Sequence, residues 1–392
     1  MNIGLMTSWW PTTDPDSGIG NNYHRLAGAL AAKGHRVTVF LINESKPFWR
    51  RGDPIRENGF RVVEIPCHVL PNGWWPGRLI ASHVAALILL CLKMGRELRN
   101  LEVMEVSSYG GFALLYYRFI SLVSRGRPPI LVRVSTTGTQ IRDLLRLNGT
   151  GRYGNWAEES LIRSARHVCT HTQAHRDEIC ARLGLDPARM AVIPHGVVLP
   201  DRPAPSIAPQ RFVLTVGRFE PRKSTDTLLS AIPLVLARQP ECRFILVGGG
   251  EMLEPWTRRF FEEHPRLAES VSFRGRVPSD ELETLYQTCD FFVSPALYES
   301  FGMTYLEAMR YGKPVIGCLK AGGAEEVIGD GGLLIRPADS EHLAETIIRL
   351  WTDRELHRAL SARARLRAEY YSMERKAERT ERHYAKMIEG ET

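Results

Sequence analysis

The stretch RFVLTVGRFEPRKSTDTLLSAIPLVLARQPECRFILVGGG, Arg211 to Gly250, decides the fold. An apolar, β-branched run ends at Gly217, a helical pattern opens at Ser224, and a second apolar run ends in three glycines. Strand, helix, strand in that order is one βαβ unit, and a series of such units builds a parallel sheet covered on both faces. The rhythm continues downstream through strands SVSFRG, DFFVSPA, KPVIGC and GLLIRP, with helices SDELETLYQT, one after Gly302 and a short one near Ala324 between them. Upstream it reads as strand NIGLMT (Asn2–Thr7), a helix that stops at Gly34, then strands HRVTVFLI, FRVVEIP, EVMEVS, PPILVRVS and HVCTHT. Between the two series lies IPHGVVLPDRPAPSIAPQ, Ile193–Gln210, with five prolines. That is a linker composition, and it places a boundary near residue 200. From Asp339 onward the chain reads as amphipathic helix with mixed charge.

At 392 residues, with 44% apolar and 24% charged side chains, the chain suits two globular domains. Its longest apolar run, Val84–Leu92, is too short to span a bilayer. MNIGLMTSWW lacks a basic segment followed by an apolar block, so the reading expects no signal peptide and a cytoplasmic protein. Seven scattered cysteines without a Cys-x-x-Cys pair point to buried apolar thiols, not to disulfides or structural zinc. The net charge of +7 is uneven: residues 1–200 hold 24 Lys/Arg against 15 Asp/Glu, and residues 201–392 hold 27 against 29. A basic first half suits an anionic partner, or reflects a plain preference for surface arginine.

Four stretches carry candidate chemistry. In DSGIGNNYHRLAGAL, Gly18 and Gly20 open a helix after a strand, a place for a phosphate or a plain tight turn. Tyr23 stands where the dinucleotide fingerprint wants its third glycine, which counts against nicotinamide binding. In GRFEPRKS, Arg218 and Lys223 put a guanidinium and an ammonium past a strand, beside a helix start, which suits a diphosphate or is a solvated pair. In YESFGMTYLEAMRYG, Tyr298–Gly312, the amides of Phe301, Gly302 and Met303 begin a helix, with Glu299 before it and Glu307 one turn inside. A carboxylate accepts two hydrogen bonds and so matches a vicinal diol; otherwise Glu307 is an ordinary helix residue and Glu299 a cap. CLKAGGAEEVI adds a Gly-Gly turn leading to Glu325 and Glu326. His171 and His175 have helical spacing without the glutamate of a zinc motif, so no metal is expected. The arginines of Arg363–Arg367 read as a solvated helix face, and no nucleic-acid motif accompanies them.

Taken in order, GRFEPRK, LVGGGE, FRGRVP, ALYESFGMTYLEAMRYGKPVI and GGAEEVI resemble the retaining glycosyltransferases of family 4, glycosyl transferases group 1. The resemblance implies the GT-B fold: two facing Rossmann-like α/β domains with parallel sheets and a cleft between them. It implies an acceptor-binding domain over 1–198, a nucleotide-sugar domain over 199–371, and a final helix, 372–392, crossing back to the first domain. It implies that Arg218 and Lys223 hold the donor diphosphate with the amides of Phe301, Gly302 and Met303. Glu307 would hold the ribose, Arg276 and Val277 would meet the base, Gly248 would join the donor site, and Glu299 would bind the donor sugar. Gly18 and Gly20 would lie near phosphate and acceptor. Ser135 stands where the family commonly has histidine, so Ser135, Thr136 or Arg133 would contact the sugar instead; His195-Gly196 replaces the usual Asn-Gly as a linker difference.

The implied reaction moves a hexosyl unit from a UDP- or GDP-sugar to a hydroxyl acceptor of a cell-surface polysaccharide, lipopolysaccharide or glycolipid. No cofactor, metal or nucleic acid is expected. Two readings stay beside it: a nucleotide-sugar isomerase or phosphorylase of the same fold, and a nicotinamide-dependent oxidoreductase. The basic first half and the Trp74–Trp75 pair suit peripheral contact with an anionic membrane, on the cytoplasmic face.

Overall fold

The computed structural model describes residues 1–11, 18–47, 55–68, 78–93, 98–123, 128–145, 152–201 and 211–390. Asp16, Ser17, the Trp74–Trp75 pair and linker residues 202–210 lie outside them, as does the side chain of Cys91. The chain divides into two units, Met1–Gly196 with Met373–Thr392, and Val197–Ser372.

The first unit contains strands β1 (Asn2–Thr7), β2 (Arg36–Pro47), β3 (Ile55–Glu57), β4 (Phe60–His68), β5 (Val103–Ser107), β6 (Ile130–Arg133), β7 (His167–Thr170) and β8 (Met190–Val192). They lie in the order β3-β4-β2-β1-β5-β6-β7-β8. All neighbours are parallel except the short hairpin of β3 on β4. β3 and β8 are too short to register as apolar runs, and β2 runs on past Ile42 to Pro47 with a register shift after Asn43. Helices α1 (Gly18–Ala32), α2 (Arg78–Lys93), α3 (Ala113–Val123), α4 (Gly138–Leu145), α5 (Arg152–Ser164) and α6 (Gln173–Leu183) connect the strands. In α1, Tyr23, Leu26, Ala27 and Leu30 recur at helical spacing and are buried against Ile3, Leu5 and Val39. Tyr23 thus belongs to the core, where its ring fills the space a third glycine would leave open.

The second unit contains β9 (Val213–Val216), β10 (Phe244–Val247), β11 (Val271–Gly275), β12 (Phe291–Val293), β13 (Val315–Cys318) and β14 (Gly332–Ile335), ordered β11-β10-β9-β12-β13-β14 and wholly parallel. Its helices are α7 (Thr225–Arg238), α8 (Leu253–Glu263), α9 (Ser279–Thr288), α10 (Met303–Met309), α11 (Ala324–Ile328), α12 (Ser340–Thr352) and α13 (Arg354–Tyr370). β12 and β13 are buried at every residue, as strands covered on both faces must be. Of the arginines expected on a solvated face of α13, Arg363 is exposed, but Arg367 is not a solvated side chain. Arg367 is half-buried, and its guanidinium donates to the carbonyls of Glu326 and Val327 with Tyr371 beside it, tying α13 to α11. A long helix past the last strand can cover the sheet only if its inward arginines find carbonyls.

The last helix, α14 (Met373–Glu389), returns to the first unit. Ala377, Tyr384 and Met387 enter the core of α1 and β1. Lys376, fully buried, donates to Asn22 Oδ1 of α1, and Tyr384 donates to Glu105 Oε2 at 2.7 Å. Glu105 also receives a two-pronged bond from Arg133, Nε at 2.6 Å and Nη2 at 3.0 Å, both residues almost wholly buried. Burial alone would raise the Glu105 carboxyl, but the guanidinium outweighs it and holds the pKa below the usual range. Arg133 Nη1 donates to the Ile193 carbonyl at 3.2 Å, and with the side chain almost wholly buried it is a structural ion pair, not a sugar contact. Glu105→Ala leaves that guanidinium buried and unpaired, and is expected to destabilise the first unit by about 3–5 kcal/mol. The stability Glu105 contributes is present above its unfolded pKa of about 4.3 and is lost as pH falls through its lower folded value. Thermal unfolding of wild type and variant at pH 7 and pH 3.5 checks both; an equal midpoint at pH 7 refutes the first.

Candidate functional site

In the second sheet β9 lies between β10 and β12, the point where strand order reverses. Loops leaving the carboxyl ends of β9 and β12 diverge there, and ligands of open α/β sheets bind in that crevice. The loop after β9 holds Arg218 and Lys223; the loop after β12 holds Glu299 and leads into α10.

The β9 loop closes into a single 3₁₀ turn, Pro221–Lys223, with Ser224 left-handed at φ +49°. The Leu297 amide donates to the Arg222 carbonyl at 2.9 Å, which ties the two loops. Lys223 Nζ then donates to Glu299 Oε1, although 76 residues separate them in sequence. Arg222, which the sequence pattern did not single out, joins the cluster: Nη1 is 3.6 Å from Glu299 Oε2 and donates to the Tyr298 carbonyl at 3.2 Å, and Nη2 donates to Glu220 at 2.5 Å. Arg218 stays exposed with no partner among the described residues.

The Gly-Gly turn of CLKAGGAEEVI acts on the main chain of Glu299. The Glu299 amide donates to Ala321 O at 3.0 Å, and Gly323 N donates to Glu299 O at 2.8 Å. Gly322 sits at φ +70°, and a Cβ there would lie 2.8 Å from the Glu299 carbonyl. Three segments therefore meet at one residue, Glu299, which is 8% exposed: the Lys223 turn at its carboxylate and the Gly322 turn at its main chain.

Beyond Glu299, Phe301 is buried edge-on to Tyr371 at 5.6 Å. Gly302 caps α10 at φ +95°, with the Tyr305 ring 2.5 Å from where its Cβ would be. Tyr305 itself is fixed by donating to the Ser294 carbonyl at 2.7 Å. Met303 begins α10; in its first turn the Tyr305 amide donates to the Gly302 carbonyl at 3.1 Å, and the amides ahead of it precede the first intrahelical acceptor. Glu307 is half-buried, one turn in, and accepts from Tyr286 Oη at 3.0 Å. Burial, reinforced by the Glu307 carboxylate, pushes the Tyr286 hydroxyl well above its ordinary pKa, so it remains a donor. Gly248, at φ +140°, lets the β10 loop lie against Gly217, whose carbonyl would be 1.8 Å from a Cβ. Arg276 is exposed with its side chain over Gly249, and Val277 is half-buried on the core.

In the first unit Gly18 and Gly20 are already helical, the first turn of α1 and not a loop. Among the described residues nothing lies within 4 Å of where a Cβ on Gly18 would be; Gly20 is needed because a Cβ would meet the Trp10 amide at 2.9 Å and the Trp9 carbonyl carbon at 3.0 Å. Ser135 and Thr136 are half-buried past β6, leading into the cap of α4, where Thr137 Oγ1 accepts from Gln140 N at 3.2 Å and Gln140 Oε1 from Thr137 N at 2.8 Å. Beside them lies a feature the sequence hid: His171 stacks between His175 and His195, ring centroids 4.6 Å apart on each side. Burial keeps all three neutral, lowering His171 and His195 well below the usual imidazole value and His175 to about 4. His195, half-buried, thus has a structural place as the outer ring of this stack, and among the described residues no group of three or more His, Cys, Asp or Glu is placed to hold a metal.

Two family models match, glycosyl transferases group 1 over residues 201–367 and the glycosyl transferase 4-like domain over residues 17–196. A GDP-mannose-dependent alpha-(1-6)-phosphatidylinositol monomannoside mannosyltransferase of Mycobacterium tuberculosis is 31% identical over 88% of this chain and 88% of its own. A D-inositol 3-phosphate glycosyltransferase of Streptomyces bingchenggensis is 28% identical over 59% of this chain and 55% of its own, so this match spans little more than half of that relative. Among solved structures, sucrose-phosphate synthase of Thermosynechococcus elongatus aligns over the whole of both chains at 21% identity with a TM-score of 0.76. Anabaena HepE in complex with UDP and glucose aligns over 98% of this chain and 99% of its own at 19% identity and 0.69. The chain belongs to the family 4, group 1 glycosyltransferases, with the two parallel-sheet Rossmann-like domains of the GT-B fold.

Gly302→Ala must place a methyl group against the Tyr305 ring at a φ that L side chains avoid. A loss of about 1–3 kcal/mol is expected in urea unfolding of the second unit. A variant with an unchanged midpoint would show that α10 can start without this glycine.

Proposed function

We propose that this glycosyltransferase is a retaining enzyme that transfers a hexosyl unit from a UDP- or GDP-sugar to a hydroxyl acceptor in cell-surface polysaccharide, lipopolysaccharide or glycolipid synthesis. The observation that carries the reading is the Lys223–Glu299 pair at the reversal point of the second sheet. An ammonium has three protons to donate; one is held by Glu299, which fixes the direction of the other two for diphosphate oxygens. Cleavage of the anomeric bond leaves negative charge on that diphosphate, and Lys223, exposed Arg218 and the first amides of α10 stabilise it. Glu299 Oε2, with Arg222 Nη1 3.6 Å away, has lone pairs to accept from donor-sugar hydroxyls as well. Glu307, oriented by Tyr286, accepts from the ribose diol, with Arg276 and Val277 toward the base and Gly248 letting the chain approach. Residues 1–198 bind the acceptor, with Gly18, Gly20, Ser135 and Thr136 on that side, and residues 199–371 bind the donor. A GDP-mannose-dependent relative and a UDP-bound structural neighbour support both nucleotides as donors.

Incubation with a panel of nucleotide sugars is expected to release UDP or GDP. Lys223→Ala and Glu299→Ala each should lower kcat/KM by about 10²-fold or more, and Glu307→Ala should chiefly raise donor KM, by about tenfold. Wild-type transfer rates in both Lys223→Ala and Glu299→Ala would sink the site assignment.

The acceptor side of the proposal includes peripheral contact with an anionic membrane at the cytoplasmic face. On α2, Ile80, Val84 and Ile88 share one helix face and are 45%, 41% and 48% exposed, within a half of the chain rich in arginine. Among the described residues no helix is long and apolar enough to cross a membrane. Co-sedimentation with phosphatidylglycerol liposomes should exceed that with phosphatidylcholine at low salt, and Val84→Glu with Ile88→Glu should abolish it. Absence of binding at low and physiological salt removes this part.

A further inference from the structure

The first sheet has its own reversal point, between β1 and β5, and two aromatic side chains stand there. Trp9 lies two residues past the end of β1 and Tyr109 two past the end of β5. Their rings meet edge to face, centroids 5.6 Å apart and planes at 67°. Both are half-buried, and neither enters a core cluster of this unit. Large aromatic rings left half in water at the carboxyl edge of a parallel sheet lose part of the burial that would stabilise the fold.

The turns beneath them are tightly built. Thr7 Oγ1 accepts from the Trp9 amide at 3.2 Å and lies 3.3 Å from its carbonyl, to which it donates. The Tyr109 amide donates to Ser107 Oγ at 3.3 Å. Ser108 Oγ donates to buried Glu158 at 2.9 Å, and the other Glu158 oxygen accepts from the Gly138 amide at 3.0 Å, which joins the loops after β5 and β6. Gly111, at φ +68°, presses this turn on α5, with the Ala157 carbonyl carbon 2.6 Å from where a Cβ would be. From the other side, Gly20 brings α1 against the main chain of Trp9 and Trp10. The main chain that carries the two rings is thus fixed, and the rings brace each other edge to face, so the turns need no reordering on binding.

We infer that Trp9 and Tyr109 form a stacking platform for a pyranose ring of a carbohydrate acceptor. A pyranose offers a face of C–H groups with hydroxyls at its rim, and the negative face of an aromatic ring attracts those polarised hydrogens while covering apolar area. The inference rests on the reading of the first unit as the acceptor side, and it narrows the acceptor from any hydroxyl to a saturated sugar ring.

Saturation-transfer NMR on the full chain tests it, with methyl α-D-mannopyranoside and methyl α-D-glucopyranoside as probes and D-glucitol as the ring-free polyol. At least one pyranoside is expected to bind wild type and Tyr109→Phe, to bind Trp9→Leu and Tyr109→Leu about tenfold more weakly, and to bind better than glucitol. Thermal unfolding of each variant guards against a folding defect, and Tyr109→Phe keeps the ring where Tyr109→Leu removes it. Leucine variants that bind like wild type, a phenylalanine variant as weak as the leucine one, or glucitol binding equal to the pyranosides overturns the platform. Nucleotide release from sugar donors by the same wild-type sample separates the two proposals. Release without pyranoside binding sinks the platform alone; pyranoside binding without release from any donor sinks the donor reading and leaves a carbohydrate site.

Discussion

Everything in the site derives from one geometric constraint on parallel sheets. A parallel strand reaches its neighbour only by a crossover, and when the chain has built outward on one side of its first strand it must return to build on the other. At that first strand the outgoing loops part, and the carboxyl ends of two adjacent strands are left uncovered. The first strand of each unit, β1 and β9, is in this position. Buried strands such as β12 have no side-chain latitude, so the chemistry can be placed only in the loops beyond their carboxyl ends.

The loops after β9 and β12 are kept rigid by contacts that spend glycines and main-chain bonds instead of apolar area. Glu299 shows why. A carboxylate almost withdrawn from water needs partners for its oxygens, and Lys223 and Arg222 stand beside them. The partners come from a different loop, so the loops must hold position to within a fraction of an ångström. The Leu297–Arg222 bond, the bonds of Glu299 to Ala321 and Gly323, and the close pass of Gly248 over Gly217 provide that rigidity. A side chain at Gly248, Gly302 or Gly322 would strike main chain or a fixed ring, and each of these has a positive φ.

The layers of the fold were legible because parallel strands buried on both faces appear as short apolar runs and α/β loops carry glycine at their ends. The three-residue strands β3 and β8 were not, since three residues set no period. Lys223, Glu299 and Glu307 each stood out as chemistry at a helix or strand end, but sequence contains no distance, and a pairing across 76 residues appears only in the folded chain. Arg222 was overlooked because one of two adjacent cations had to be chosen. The histidine stack was hidden more deeply: His171, His175 and His195 follow a strand, sit in a helix and follow another strand, and only the parallel pairing of β7 with β8 brings the first and last together. Arg367 and Arg133 misled in the same way, since an arginine looks alike in sequence whether water or a carbonyl receives it.

The return of α14 shows what a long-range contact costs and secures. Burying Lys376, Arg133 and Glu105 together removes three charges from water, and burial drives Lys376 well below its ordinary pKa even with Glu105 near. An apolar trio of similar volume would fill the same space without that desolvation. The polar arrangement differs in being directional: Tyr384 reaches Glu105 and Lys376 reaches Asn22 only when α14 lies in one register against α1. An apolar helix face tolerates a slide of one turn, whereas a slide here would strand the buried polar ends of Glu105 and Lys376. The cluster thus exchanges net stability for a fixed seat of the last helix against β1 and α1, the elements that carry Trp9 and Gly20 to the sheet edge.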